Sequence, residues 1–344
     1  NTDSGGKYAE YYTPHAVARI MAAIMVPEKV KRVTCYDPSA GSGTLLMNLA
    51  HAIGEKNCSI YSEDISQKSS SMLRLNLVLN NLSHSIPNII KTNTIAEPYY
   101  LDKKFDYIVS NPPFKLDFSD FRDQLEKDSF KERFFAGIPN VPKSKKESMS
   151  IYVMFIQHIM HSLSDKGKGA VVLPTGFITA QSGIERKIRE QLIERGWLRG
   201  VVSMPSNIFA STGTNVSVLF IDRKADNEHI VLVDASKLGE TIKDGKNQKT
   251  VLSEKEEQRI IGAMNLKKAE EDFSVVLNQN DIRTKNYSFS AGQYFDVKIK
   301  YTDITPKAFA TKIEGFKTNL DSFFTESKKL EKNIQNQLNE LKYE

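Results

Sequence analysis

The sequence has almost no cysteine: Cys35 and Cys58 are the only two among 344 residues. Two thiols cannot build a disulfide framework or a zinc site. Cys35 lies inside the apolar run 33–36 and reads as a reduced core thiol. Long hydrophobic runs are missing too. No stretch approaches the roughly 18 apolar residues of a membrane-spanning helix, and no signal peptide opens the chain. A cytoplasmic protein is the expectation. Charge of one sign is also scarce, since 47 Lys and Arg stand against 42 Asp and Glu, for a net charge of +5. A protein gripping DNA alone through many phosphates is usually more basic, so the balance permits a nucleic-acid partner without demanding one. No internal repeat is visible. What remains is ordinary globular composition, 40% hydrophobic and 26% charged, long enough for one large core plus an appended piece.

Short apolar runs alternate with longer helical patterns, the signature of a parallel α/β sheet. The runs lie at 33–36, 58–61, 88–90, 107–109, 170–173, 200–202 and 216–221. Helical patterns lie between them at 16–25, 44–53, 67–80, 150–163 and 183–195. The expected fold is a doubly wound, seven-stranded Rossmann-like sheet over residues 1–225, followed by a small α/β extension (226–304) and a C-terminal helix (305–344). The stretch 115–146, broken by Gly137, Pro139 and Pro142, reads as a large loop, and loops of that length are usually functional or disordered. In the extension, a strand at 230–233 precedes a charged helix at 254–264. At the end of the chain Leu320, Phe323, Ser327, Leu330, Ile334 and Leu341 recur at spacings of three, four and seven. A lone helix with such a stripe needs a partner surface, on its own domain or on another chain.

Three signals carry chemistry. Asp37-Pro38-Ser39-Ala40-Gly41-Ser42-Gly43 joins a strand to a helix, and its small residues let a ligand approach the backbone at a helix N-terminus. Leu46 stands where a dinucleotide fingerprint would have its third glycine, which disfavours pyrophosphate. An Asp at the strand end suits the ammonium of an amino-acid-like ligand instead. Glu63-Asp64 closes the next strand, where a carboxylate can hold both hydroxyls of a ribose. An exposed acidic pair capping the helix near Ser66 would look similar. Asp64 is favoured for the ribose, with Glu63 close behind. Asn111-Pro112-Pro113-Phe114 follows the strand 106–110. Its prolines fix the backbone and leave carbonyls as acceptors, the amide adds another, and Phe114 offers a face for a stacked base. Acceptors converging on one exocyclic amine beside an aromatic clamp suit amine methylation.

In this order the three signals resemble the amino-methyltransferases of DNA, and Tyr11-Tyr12-Thr13-Pro14 upstream of the glycine loop resembles the adenine enzymes of the gamma arrangement. Phe155-Ile156-Gln157-His158, the stretches 169–174, 185–189 and 205–209, Thr212-Gly213-Thr214, Tyr287-Ser288 and Gln293-Tyr294-Phe295 narrow the resemblance to the modification subunits of type I restriction systems. That resemblance implies S-adenosylmethionine as cofactor, double-stranded DNA as substrate, and a specificity subunit and a restriction subunit as partners. Carried over by position, Tyr12, Thr13 and Pro14 would border the cofactor's methionine. Asp37, Ser39, Ala40, Gly41, Gly43 and Thr44 would hold it, Asp64 and Ile65 would receive the ribose, and Asn93 and Thr94 would sit by the cofactor's adenine. Asn111, Pro112, Pro113 and Phe114 would form the catalytic pocket. Asn93 departs from the Asp usual at its position, which bears on affinity rather than activity. The helical domain that precedes this region in type I subunits has no counterpart here, and the chain opens on Asn1 rather than Met, which leaves room for missing sequence upstream. No metal is expected. A cytosine-ring mechanism needs a pocket cysteine, and neither thiol lies near Asn111 in the chain pattern. The rival readings are a methyltransferase of RNA bases or of protein glutamine, and a catalytically silent assembly subunit.

Overall fold

A computed structural model describes residues 13–209, 215–244, 247–296 and 304–340. Eleven strands run β1 (Val33–Asp37), β2 (Cys58–Asp64), β3 (Ile89–Lys91), β4 (Phe105–Ser110), β5 (Leu163–Pro174), β6 (Leu198–Ser203), β7 (Val216–Asp222), β8 (Ile230–Asp234), β9 (Glu240–Asp244), β10 (Asn247–Val251) and β11 (Ser274–Leu277). The helices are α1 (His15–Met25), α2 (Thr44–Ile53), α3 (Gln67–Leu79), the single turn α4 (Asp128–Lys131), α5 (Tyr152–Ser162), the turn α6 (Gly176–Thr179), α7 (Gly183–Glu194), α8 (Glu254–Asn265), α9 (Gln279–Thr284) and α10 (Pro306–Glu340). All seven apolar runs are strands of one nine-stranded sheet, ordered β11-β8-β6-β7-β5-β4-β1-β2-β3. Strands β3 to β5 run parallel, while β7 is antiparallel to both β5 and β6. The sheet is thus larger than the expected seven strands: β8 pairs in parallel with β6, and β11 adds an antiparallel edge.

Alternation along the strands feeds two cores. Cys35, Ile60, Val109, Ala170 and Val172 face α1, α2, α3 and α8, whereas Tyr36, Ile108, Val171 and Leu173 face α5 and α7. Both cysteines are buried and free. Helix α5 is buried along nearly its whole length, because the stretch 115–146 covers its outer side. That stretch is an ordered cap rather than an open loop. Phe118, Leu125, Phe134 and Ala136 are buried in the same core as α5, and the Gln157 amide ties Ala136 N–H and the Gly137 carbonyl to the helix.

The extension is bolted to the sheet through α1. Arg19 makes a two-point pair with Glu257 of α8, Nε–Oε2 at 3.0 Å and Nη2–Oε1 at 2.5 Å, and Asn265 donates to the Ala23 carbonyl. Arg189 of α7 is fully buried and donates to the carbonyls of Phe177, Ala180 and Tyr287, which joins the stretch 185–189 to the Tyr287-Ser288 segment. Thr212-Gly213-Thr214 lie outside the described residues.

Residues to Phe295 form one compact unit and those from Asp296 another. In the second, Thr305 caps α10 through Ala308 N–H and Pro306 takes the first helical position, where a missing N–H costs nothing. The helix therefore starts well before Leu320, and Phe309, Ile313 and Phe316 extend the stripe toward its N-terminus. Leu341 falls outside the described residues. Among the described residues, no helix is long and apolar enough to cross a membrane.

Candidate active site

The sheet order reverses between β1 and β4, and in open α/β sheets ligands bind outside the carboxyl ends of the strands at such a switch point. A solvent-open cleft with about 310 Å³ of free space lies there, lined by Thr13, Asp37, Ser39, Ala40, Gly41, Ser42, Thr44, Leu45 and Asn111. Seven of these were expected from the sequence; Ser42 and Leu45 were not.

The floor is the turn after β1. Asp37 Oδ1 accepts Ser39 N–H at 2.9 Å, and the Ser39 hydroxyl meets the Ser110 hydroxyl at 2.7 Å, which locks the ends of β1 and β4 together. Gly43 is the N-cap of α2 at φ +85°, and a Cβ there would meet Leu73 Cδ1 at 2.3 Å. Glycine is therefore required for α2 to close on α3. A Cβ on Gly41 would meet nothing within 4 Å, so its face is open toward the cleft, although its φ of +52° still favours glycine. The Asn76 amide of α3 pins the Ser42 carbonyl at 2.8 Å.

The two acidic residues after β2 take opposite directions. Glu63 is fully buried, where it accepts the Tyr36 hydroxyl and Tyr99 N–H. Asp64 turns to the glycine loop and accepts Gly41 N–H at 2.8 Å and Ser66 N–H at 2.7 Å. Ile65, next in the chain, is 43% exposed. Asn93 uses its side-chain oxygen to cap the turn after β3, at 3.1 Å from Ile95 N and 3.2 Å from Ala96 N. An Asp would cap in the same way; the Asn differs in presenting an amide N–H₂. Thr94 is buried, its hydroxyl on the Pro38 carbonyl at 2.7 Å. Tyr11 and Tyr12 lie outside the described residues.

Asn111 reaches back to the start of α1, where its Nδ2 donates to Thr13 Oγ1 at 3.1 Å. That bond uses only the amide nitrogen, and the residue lines the cleft. Pro14 precedes α1 and its carbonyl takes Ala18 N–H. Pro112 is buried and Pro113 half-buried. Phe114 is half-buried, edge-on to Tyr152 with centroids 6.4 Å apart.

Burial raises the Asp37 carboxyl to about 7, with the nearby Asp64 charge adding to the shift and the Ser39 N–H opposing it. A buried carboxyl shifted this far at the wall of a cleft marks a candidate functional site.

A doubly wound sheet with an inserted antiparallel seventh strand, and with this cleft at its switch point, is the methyltransferase class of α/β fold. Within that class, the chain belongs to the N-6 DNA methylase family, whose model matches residues 1–302. It is 27% identical to the type I restriction enzyme MpnII methylase subunit of Mycoplasma pneumoniae over 91% of this chain and 58% of that protein. It is 24% identical to the HindI methylase subunit of Haemophilus influenzae, over 99% of this chain and 75% of that one. Among solved structures, the type I methyltransferase subunit from Streptococcus thermophilus superposes with a TM-score of 0.71 at 26% identity, over 86% of this chain and 61% of that chain. The chain thus spans about three-fifths of the first of these relatives and of the Streptococcus structure.

Proposed function

We propose that this chain transfers a methyl group from S-adenosylmethionine to the 6-amino group of an adenine turned out of double-stranded DNA, as the modification subunit of a type I restriction complex. One observation carries the reading. Asn111 is held by Thr13 in the same cleft as Asp37, so that an amide acceptor and a carboxylate suited to an ammonium face one cavity.

The donor set fits the cofactor. Asp37 suits the ammonium of its methionine, Asp64 the ribose hydroxyls, and the Asn93-Thr94 turn its adenine. The cofactor, when bound, supplies an activated sulfonium methyl. Adenine's amine is conjugated and a poor nucleophile, and no strong base is needed. The Asn111 oxygen and the Pro112 carbonyl draw its hydrogens out of the ring plane and raise lone-pair character, so positioning and electrostatics provide the acceleration. Taking the base from the duplex costs about a few kcal/mol, and stacking on Phe114 returns part of it. The intact Asn-Pro-Pro-Phe stretch and the family membership argue against a silent assembly subunit. The upstream Thr13-Pro14 motif and the segments after Phe155 argue against RNA or glutamine substrates.

Helix α10 supports the need for a partner. Phe309, Phe316, Phe323 and Leu330 stand seven apart, and Ile313, Leu320 and Ile334 sit at the interleaved heptad positions, all exposed. This is a coiled-coil seam, and the specificity subunit is the occupant we assign to it. Radiolabelled methyl transfer to DNA, with and without co-expressed specificity subunit, tests both points. Sequence-specific labelling of adenine is expected only with the partner. A chain ending at Ile304 should bind cofactor normally but fail to retain the partner. A truncated chain that alone methylates one defined sequence would refute this, and would make 115–146 the reader of DNA.

A further inference from the structure

Four titratable side chains with no part in the chemistry above form one line beneath the cleft. Arg133, in the cap that follows Phe114, is 1% exposed. Its Nε–H donates to His158 Nδ1 at 3.0 Å, Nη1 to the Ile95 carbonyl at 2.8 Å and Nη2 to the Thr94 carbonyl at 2.5 Å. Arginine only donates, so Nδ1 of His158 is an acceptor and the imidazole proton sits on Nε2. That Nε2–H meets the Tyr36 hydroxyl oxygen at 3.0 Å, and the Tyr36 hydroxyl donates to Glu63. The remaining Glu63 oxygen accepts Tyr99 N–H. Burial and the Arg133 charge hold His158 well below the ordinary imidazole range, so the imidazole stays neutral and the direction of the chain is fixed.

Burying an arginine is costly, and a well-packed apolar side chain of similar volume often does as well for stability. What an apolar residue could not do here is bridge elements by direction. The guanidinium joins three: the cap 115–146 that follows Phe114, helix α5, and the turn after β3. Thr94 of that turn also holds the Pro38 carbonyl of the glycine loop, so the bridge reaches the cofactor side of the cleft. The ring of Phe134, next to Arg133 in the chain, lies 4.5 Å from the guanidinium and shares in fixing it.

We infer that Arg133 is a positioning residue for methyl transfer: it ties the cap that directly follows Phe114 to the Thr94-Ile95 turn at the adenine end of the cofactor cleft, so that filling the cofactor site orders the cap. The inference rests on the cofactor site proposed above. Coupling of this kind is reciprocal and typically amounts to a factor of about 5–150.

The test uses the full chain as wild type, Arg133→Lys and Arg133→Gln, with a melting curve for each and S-adenosylmethionine affinity from calorimetry. Trypsin cleavage at Lys127 and Lys131, both exposed in the cap, is then timed with and without S-adenosylmethionine. In wild type, saturating cofactor should slow cleavage about tenfold. Arg133→Lys keeps the charge, but a single ammonium lacks the fork that spans His158 and two carbonyls. It should fold and bind cofactor, yet cleave at nearly the same rate with and without it. An arginine that only stabilised the fold would speed both rates equally and leave their ratio unchanged, and that result overturns the inference. So does a wild-type chain that binds cofactor without protection, whatever the variants do. A wild-type chain with no cofactor affinity removes the site reading itself, and the inference with it.

Discussion

Replacing Asp37 by Asn should stabilise the protein at alkaline pH and weaken its grip on the cofactor. Asp37 is 1% exposed, and burial raises its carboxyl from the ordinary 3.8 to about 7. Below about pH 4 the group is neutral in folded and unfolded chains alike. Between there and pH 7 the unfolded chain releases its proton while the folded one keeps it. Stability contributed by the neutral carboxyl is therefore lost as pH rises through about 7, and above that the folded protein holds a buried charge. A rise of about three pH units at roughly 1.4 kcal/mol each gives about 4 kcal/mol as an upper bound. Relaxation and water entry reclaim part of a buried-ion penalty. Half of the bound, about 2 kcal/mol, corresponds to roughly 3 °C in Tm for a unit of this size.

The amide is nearly isosteric, can still accept Ser39 N–H, and carries no charge at any pH. Asp37→Asn should thus melt several degrees above wild type at pH 8.5 and close to level with it at pH 3.5, below both titrations. Cofactor affinity should move the other way, falling by about 1.5–3 kcal/mol at pH 8 with the loss of a charge-assisted bond. In wild type it should also weaken as pH drops below 7, because a proton competes with the cofactor's ammonium. Differential scanning calorimetry at the two pH values, with titration calorimetry across them, reads all of this. Equal melting temperatures at pH 8.5 would show that Asp37 is not a strained carboxylate, and the assignment of the ammonium site would fall with it.

Asp64→Ala should weaken S-adenosylmethionine binding by about 1–3 kcal/mol, since it strands the ribose hydroxyls and the N–H groups of Gly41 and Ser66; unchanged affinity would refute the ribose assignment. Asn111→Ala should lower methyl transfer by at least about 100-fold while cofactor affinity stays near wild type, and a normal rate in single-turnover assays would remove Asn111 from the chemistry. Phe114→Ala should instead cost about 1–3 kcal/mol in capture of the flipped base, visible as a raised KM for DNA with residual turnover; an unchanged KM would count against stacking. Thr13→Val removes the hydroxyl that orients Asn111 and should reduce kcat about fivefold, the worth of one hydrogen bond, with no loss if the amide is held by something else.

The sheet was readable because each buried parallel strand is a short apolar run bounded by polar turns, a pattern that needs no tertiary context. The additional strand β11 was not, because Val275, Val276 and Leu277 are only half-buried at an antiparallel edge. The stretch 115–146 looked like a loop for a related reason. Phe118 and Leu125 stand seven apart but Phe134 nine further on, so no helical or strand period is sustained, and their burial comes from a core shared with α5. The start of α10 did have a local signal, Thr305-Pro306, a hydroxyl cap followed by proline at the first helical position.

The site divides along the same line. Asp37 and Asn111, which line the cleft, and Asp64, which holds Gly41 beside it, all lie at strand ends, so they were legible as short motifs. The choice between Glu63 and Asp64 was not, because it depends on which face of β2 each carboxylate leaves by, and Glu63 leaves toward Tyr36. What orients these residues comes from far away in the chain. Thr13 reaches Asn111 across 98 positions, Tyr36 meets His158 across 122, and Arg19 holds Glu257 across 238. Through that last pair α8 of the extension braces α1, and Thr13, two residues before α1 begins, holds the Asn111 amide nitrogen. The extension therefore bears on the Asn111 amide without lining the cleft, by bracing the helix that the Thr13-Pro14 step leads into.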